Sequence, residues 1–326
     1  LVFTAVPDPH VVLRALEEDG ALGRADFGDA DVLAHYWFRA RMVERLLGQA
    51  ERLAVLPRED VAGVLRDLLG FDLAAHQSRT VVVPEGVHAA TVRQADLEVR
   101  SARPGQLPAG VDRLAAGLAT LPGERRSLPL LVSVGRLHPS KGMERLVEAW
   151  VSTPALRSAM NLVIIGGNLS APSPDELDVL SRIEDLVDGQ PGVILLGNLP
   201  HRDVARVLRA AAIGTPGVPA GGVYVGAARK EEFGLAIAEA LAAGLPVVGP
   251  AGGGPTTYVR DGVTGVLADT SSAAALATAI DRAIALVPDP HRVALARDDI
   301  LDRLTIENMA EGLVELYGSM THAIAL

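Results

Sequence analysis

The chain has 326 residues, 49% of them hydrophobic and 21% charged, which excludes a disordered polymer or a staple-dependent miniprotein and leaves room for about two domains. Its formal charge of −10, from 40 acidic against 30 basic residues, argues against a nucleic-acid-coating protein, so no nucleic acid partner is expected. The absence of cysteine rules out a disulfide framework, a thiolate metal site and a cysteine nucleophile, and fits a cytoplasmic protein.

The longest uncharged stretch, 240–259, is as long as a membrane span but carries three prolines and five glycines. It reads as loop and buried strand, and no transmembrane segment is predicted. The chain opens on Leu1, and residues 1–6 read as a buried strand, not a signal peptide, so the sequence is expected to start partway through a larger protein.

In chain order, strand 1–6 is followed by helices at 11–16 and, after the capping residue Asp31, at 31–47. Strand 52–56 ends at Pro57, helix 60–69 follows, and strand 80–83 leads into the turn Pro84-Glu85-Gly86. Three strands separated by helices imply a parallel sheet, but three are few for an independent domain of this kind. From 88 to 128 the pattern weakens and Pro, Gly and Arg accumulate, with one short helix at 111–121. This stretch is the expected linker.

Alternation then restarts. Strands are predicted at 130–134, 162–165, 193–196, 223–225, 246–248 and 265–267, and helices at 143–150, 175–187, 203–211, 234–243 and 272–285. That is a complete doubly wound domain of six strands, and helix 306–317 closes the chain. The expected organisation is a partial Rossmann-like domain at 1–90, a linker at 91–127, a second Rossmann-like domain at 128–290, and a helical segment at 291–326 that returns to the first domain or caps the second.

Ligands in such sheets bind outside the carboxyl ends of the strands. After the first strand of the second domain comes Gly135-Arg136-Leu137-His138-Pro139-Ser140-Lys141-Gly142. Arg136 can fork two hydrogen bonds and Lys141 is a point charge, a pair suited to a diphosphate. Lys141 and Lys230 are the only lysines beside 28 arginines, and Lys230 opens the second notable segment, Lys230-Glu231-Glu232-Phe233-Gly234-Leu235-Ala236-Ile237-Ala238-Glu239. Glu231 falls in a loop, and Phe233-Gly234-Leu235 opens a helix whose free amides favour an anion. A glutamate carboxylate can accept from two adjacent sugar hydroxyls, and an inward Glu239 on an apolar helix needs a partner. The competing interpretations are solvated turn charges before a helix.

These segments, with Ala243-Gly244-Leu245-Pro246-Val247-Val248, Gly253-Gly254-Pro255 and the Asp261-Gly262-Val263-Thr264-Gly265 turn, resemble the GT-B glycosyltransferases of family 4, or glycosyl transferases group 1. Among members the donor domain looks most like that of sucrose-phosphate synthases. The resemblance is dense over 130–317 and loose over 1–87. It implies an α/β GT-B fold of two Rossmann-like doubly wound parallel-sheet domains, the N-terminal one truncated.

It further implies a retaining hexosyltransferase that moves a hexose from a nucleotide-diphosphate sugar to a small-molecule, glycan or lipid hydroxyl acceptor, with no cofactor and no required metal. Carried over by position, Arg136 and Lys141, beside Gly135, fall to the donor diphosphate and Glu239 to the ribose hydroxyls. Glu231 and the amides near Phe233, Gly234 and Leu235 fall to the donor sugar, and Gly197-Asn198-Leu199-Pro200 to the base. Arg136, Lys141 and Glu231 are the residues expected to act in catalysis. Family members carry a further histidine nearer the start of the first domain, expected to lie in sequence outside this chain.

Two other functions are weighed. A fragment that binds nucleotide sugar without turnover keeps the donor pocket and lacks the acceptor side. An NAD-dependent oxidoreductase finds partial support in Gly252, Gly254 and Thr257, but the third glycine is missing and Asp269 arrives too early for the usual acidic residue. His10 is a candidate for a cleft-facing residue, and Tyr36-Trp37-Phe38 with Arg39 and Arg41 for an acceptor wall, although helix packing explains those aromatics better. The eight histidines show no metal-site spacing.

Overall fold

The computed structural model describes residues 45, 48–60, 62–63 and 72–321. The expected strand 1–6, helix 11–16, most of helices 31–47 and 60–69, His10, and Tyr36-Trp37-Phe38 with Arg39 and Arg41 lie outside the described residues. The chain divides into two compact units, Leu1–Pro84 with Met309–Leu326, and Glu85–Asn308.

In the smaller unit, β1 (Leu53–Val55) and β2 (Thr80–Val82) pair in parallel, with Leu53 opposite Thr80. The larger unit opens with α1 (Ala89–Ser101) and α2 (Ala109–Ala119), which corrects the expected linker at 91–127. Each helix buries one stripe, Val92, Ala95 and Val99 on α1 and Val111, Leu114 and Leu118 on α2. On α1 the stripe is built of small side chains among arginines and acids, so its periodicity is faint in the sequence. His88 caps α1 through its side chain, where Nδ1 accepts from the Thr91 amide at 3.3 Å.

The rest of the unit alternates: β3 (Leu130–Val134), α3 (Met143–Ser152), α4 (Pro154–Ala159), β4 (Asn161–Ile165), α5 (Pro174–Val187), β5 (Val193–Gly197) and α6 (His201–Ile213). Then come β6 (Val223–Val225), α7 (Leu235–Ala243), β7 (Val247–Pro250), β8 (Gly265–Ala268), α8 (Ala273–Ile284), α9 (Pro290–Arg303) and α10 (Ile306–Thr321). The six strands found are the six expected. Helix α4 was not anticipated, and α9, which falls in the expected helical segment 291–326, places residues 290–303 in this unit. From Met309 onward α10 belongs to the smaller unit, where Met309, Leu313 and Leu316, on one helical face, pack with Ala54 and Val83.

All ladders of the six-stranded sheet are parallel, in the order β5-β4-β3-β6-β7-β8. Both faces are covered, which is why the strands read as unbroken apolar runs. Leu131, Leu162, Ile164, Val223 and Val248 join Leu146, Trp150 and Ile280 from the helices in one core, and the Trp150 indole N–H donates to the Met160 carbonyl at 2.9 Å. Because β4 and β5 build to one side of β3 and β6 to β8 to the other, the order reverses between β3 and β6. Their ladder pairs only Leu131 with Val223 and Val132 with Tyr224. Beyond it, the buried Ser133 hydroxyl donates to the Val225 carbonyl at 2.7 Å, so the strand ends are held by a side chain while their backbones part. Among the described residues no helix is long and apolar enough to cross a membrane.

Candidate functional site

The two loops singled out in the sequence follow β3 and β6, the strands at which the order reverses and where ligands of such sheets bind. After β3, the Gly135 amide donates to the Ile165 carbonyl at 3.0 Å, and Gly166, at φ 138°, lies so close that a Cβ there would meet the Gly135 oxygen at 1.8 Å. A short turn over Pro139–Lys141 follows, and Gly142, in the left-handed region at φ 64°, converts it into α3. The turn delivers Lys141 to the neighbouring loop, where Nζ lies 2.6 Å from Glu231 Oε1 with both side chains mostly shielded. Arg136, on the same loop, is exposed, and no side chain among the described residues pairs with it.

The loop after β6 is anchored along its length. Arg145 donates through Nη2 to the Ala227 carbonyl at 2.8 Å and through Nε to the Thr270 carbonyl, whose own hydroxyl donates to the Ala228 carbonyl at 2.6 Å. Further on, the Gly254 amide is shared between the carbonyls of Glu231 and Glu232, at 3.1 and 2.9 Å. A Cβ on Gly253 would meet the Glu231 oxygen at 1.9 Å. Phe233 is buried against the Tyr258 ring, centroids 5.4 Å apart, and the Tyr258 hydroxyl sits 2.8 Å from the carbonyls of both Phe233 and Gly234. Burial first, and then the Glu231 charge, push the Tyr258 pKa well up, so this hydroxyl stays a neutral donor. Gly234, at φ 84°, starts α7, whose first amides have no intrahelical acceptor. Gly252, Gly254 and Thr257 thus lie in the segment that clamps the 231–234 loop; Thr257 donates to the Gly254 carbonyl at 2.7 Å.

Glu239 lies one turn further along α7. Its side chain is 14% exposed, and its expected partner is His201, whose Nε2 lies 2.7 Å from Oε1. His201 is the first residue of α6, directly after Gly197-Asn198-Leu199-Pro200. That segment is set by Gly197 at φ 63° and by the Asn198 amide donating to the Gly167 carbonyl at 2.8 Å, with Leu199 half-buried. Glu231 and Glu239 both act on the buried Tyr224 hydroxyl, raising its pKa after burial has done so. The two glutamates therefore share one electrostatic neighbourhood.

Three functional candidates were missed by sequence reasoning. His201 and His88 line one small pocket with Glu239, and Glu85 has its pKa raised by burial and then by the charge of Glu231. His201 was legible as the residue following the Gly197–Pro200 segment. Glu85 and His88 were not, because their turn is held by a parallel bridge of Val87 to Thr305, more than two hundred residues away. Among the described residues no group of three or more His, Cys, Asp or Glu side chains could hold a metal ion.

Comparison with known proteins supplies the family. Residues 122–296, more than half the chain, match the family described as glycosyl transferases group 1. The chain belongs to that family. A D-inositol 3-phosphate glycosyltransferase of Geodermatophilus obscurus is 35% identical over 272 residues, covering 81% of this chain and 50% of the relative. One of Mycobacterium bovis is 31% identical over 277 residues, covering 84% and 50%. The chain thus spans about half the length of the curated relatives it matches. Among solved structures, sucrose-phosphate synthase from Thermosynechococcus elongatus superposes with a TM-score of 0.67 at 22% identity, over 99% of this chain and 68% of that one. Anabaena HepE in complex with UDP and glucose gives 0.66 at 16%, over 98% and 71%. At those identities the likeness concerns the fold, which is GT-B.

Proposed function

We propose that the chain carries the donor site of a retaining glycosyltransferase that moves a hexose from a nucleotide-diphosphate sugar to a hydroxyl acceptor. The observation that carries this reading is the meeting of Lys141 and Glu231 at 2.6 Å, beside the open amides of α7, at the strand-order reversal. A cation and helix-start amides converging on one crevice suit a diphosphate, while carboxylates beside them suit sugar hydroxyls.

In this reading Arg136, with its unused donors, and Lys141 hold the diphosphate next to Gly135. Glu231 and the amides of Phe233, Gly234 and Leu235 take the sugar, Glu239 the ribose, and the segment at Leu199 the base. As the bond from the sugar C1 to the phosphate oxygen breaks, negative charge grows on that oxygen. In this reading Arg136 and Lys141 lie where their charge stabilises it. The acceptor oxygen bonds to C1 on the face the phosphate leaves, and its proton passes to the departing phosphate oxygen. Lys141 changes partners in the process, since donor phosphate competes with Glu231 for its ammonium and leaves the carboxylate open to sugar hydroxyls. The name borne by the curated relatives makes D-inositol 3-phosphate the first acceptor to assay.

Calorimetric titration with UDP-glucose, ADP-glucose, GDP-glucose and GDP-mannose tests the site. One nucleotide sugar is expected to bind, and Lys141→Ala and Glu239→Ala each to weaken it by about tenfold, as loss of a charged hydrogen bond does. Binding unchanged in both variants, or none to the parent chain, would overturn the assignment.

A further inference from the structure

The small pocket behind α7 brings together two histidines and a glutamate that the donor-site reading uses only in part. Glu239 is a mostly shielded carboxylate on an otherwise apolar helix, and such a group needs a partner that offsets its lost hydration. His201 is that partner, at 2.7 Å, and a carboxylate only accepts, so Nε2 carries the proton in this contact. The contact occupies Oε1. The second oxygen is neither bonded by another side chain nor sealed from solvent among the described residues, and so remains open to a ligand.

His201 itself is well placed to fix that geometry. It is the first residue of α6, where the amides of Asp203 and Val204 both donate to the Pro200 carbonyl, at 2.8 and 3.1 Å, and hold the helix start in place. Its imidazole spans from the 197–200 loop to α7. His88, whose Nδ1 already accepts from the Thr91 amide, and Arg209, which is bound to Asp96 and to the Ala243 carbonyl, line the same pocket. Both have those atoms engaged elsewhere, and His201 alone is hydrogen-bonded to Glu239 among the described residues.

We infer that His201 is a positioning residue which holds the Glu239 carboxylate in the orientation that accepts the two adjacent ribose hydroxyls of the donor nucleotide, and thereby sets preference for a ribonucleotide over its deoxy counterpart. This rests on the donor-site reading above. A side chain that only stabilised the start of α6 would alter affinity for every nucleotide alike. One that acts through Glu239 alters only ligands carrying the hydroxyls.

The test compares uridine, guanosine and adenosine diphosphates with their 2′,3′-dideoxy counterparts by calorimetry, in the full chain and in His201→Ala and His201→Gln. The parent chain is expected to bind one ribonucleotide at least about tenfold more tightly than its dideoxy form. In His201→Ala that ratio falls to about threefold or less with dideoxy affinity unchanged, and in His201→Gln, whose amide still donates, most of it returns. An unchanged ratio in His201→Ala, or equal weakening of both ligands, would overturn the inference while leaving the donor site intact. Failure of all three ribonucleotides to bind the parent chain would instead overturn the donor-site reading, and this inference with it.

Discussion

The amino ends of the six-stranded sheet and the candidate site at its carboxyl ends use their cations differently. At the amino ends, arginines are bound by the protein itself. Arg125 donates to Asn161 Oδ1 and to the carbonyls of Arg157 and Met160, with its guanidinium 5.5 Å from the Trp150 ring centroid. Arg209 is bound by Asp96 and by the Ala243 carbonyl at the end of α7, and Arg297 by the Ala242 carbonyl. These guanidiniums terminate helices and tie elements together, favourably placed against the negative end of the α7 dipole. At the carboxyl ends, Arg136 has no side-chain partner among the described residues, and Lys141 and Glu231 hold each other at a partly shielded site. A cation bound internally supports the fold, and one without a side-chain partner is available to a ligand.

That contrast is exposed to experiment. Arg209→Leu leaves Asp96 and the Ala243 carbonyl short of a buried partner, and should lower unfolding free energy by about 3 kcal/mol in urea titrations. Arg136→Ala should change stability by less than about 0.5 kcal/mol yet weaken nucleotide-sugar binding by about tenfold. Comparable destabilisation by the two substitutions would erase the distinction between the ends of the sheet.

A smaller effect is expected at Glu85. Burial, then repulsion from Glu231, raise its folded-state pKa, so between its ordinary value and the raised one the folded chain binds more protons than the unfolded chain. Its contribution to stability is therefore present at low pH and lost as the pH rises through that window. Glu85→Gln should melt slightly higher than the parent at pH 7 and level with it at about pH 4. A lower melting point at pH 7 would show that the Glu85 charge is stabilised in the folded chain, against the effect of burial and Glu231.

Much of the larger unit was legible because its strands are buried on both faces and so announce themselves as short apolar runs between helical stripes. β3 and β6 occur over the very residues expected, and the other strands and the α5 and α8 boundaries shift by one or two. Where the apolar stripe is made of alanine and valine among charges, as on α1, or where a helix is one and a half turns long after a proline, as Pro154–Ala159, the periodicity was too faint to read. The candidate site divides the same way. Arg136, Lys141, Glu231 and Glu239 stood out by position after a strand or at a helix start. The company they keep did not, since the Lys141 and Glu231 contact joins residues 90 apart and the His201 and Glu239 contact residues 38 apart.

The sequence by itself determined that this is a doubly wound α/β chain of the group 1 glycosyl transferase kind, with a basic loop after one strand and an acidic loop after another. Those are properties of local pattern, written in consecutive residues. Only the tertiary structure decided that Lys141 meets Glu231, that His201 holds Glu239, and that α1, α2 and α9 belong with the six-stranded sheet. Each of these depends on the distance between elements remote in sequence, which is set by how the sheet twists and the helices pack, and no stretch of neighbouring residues encodes that distance.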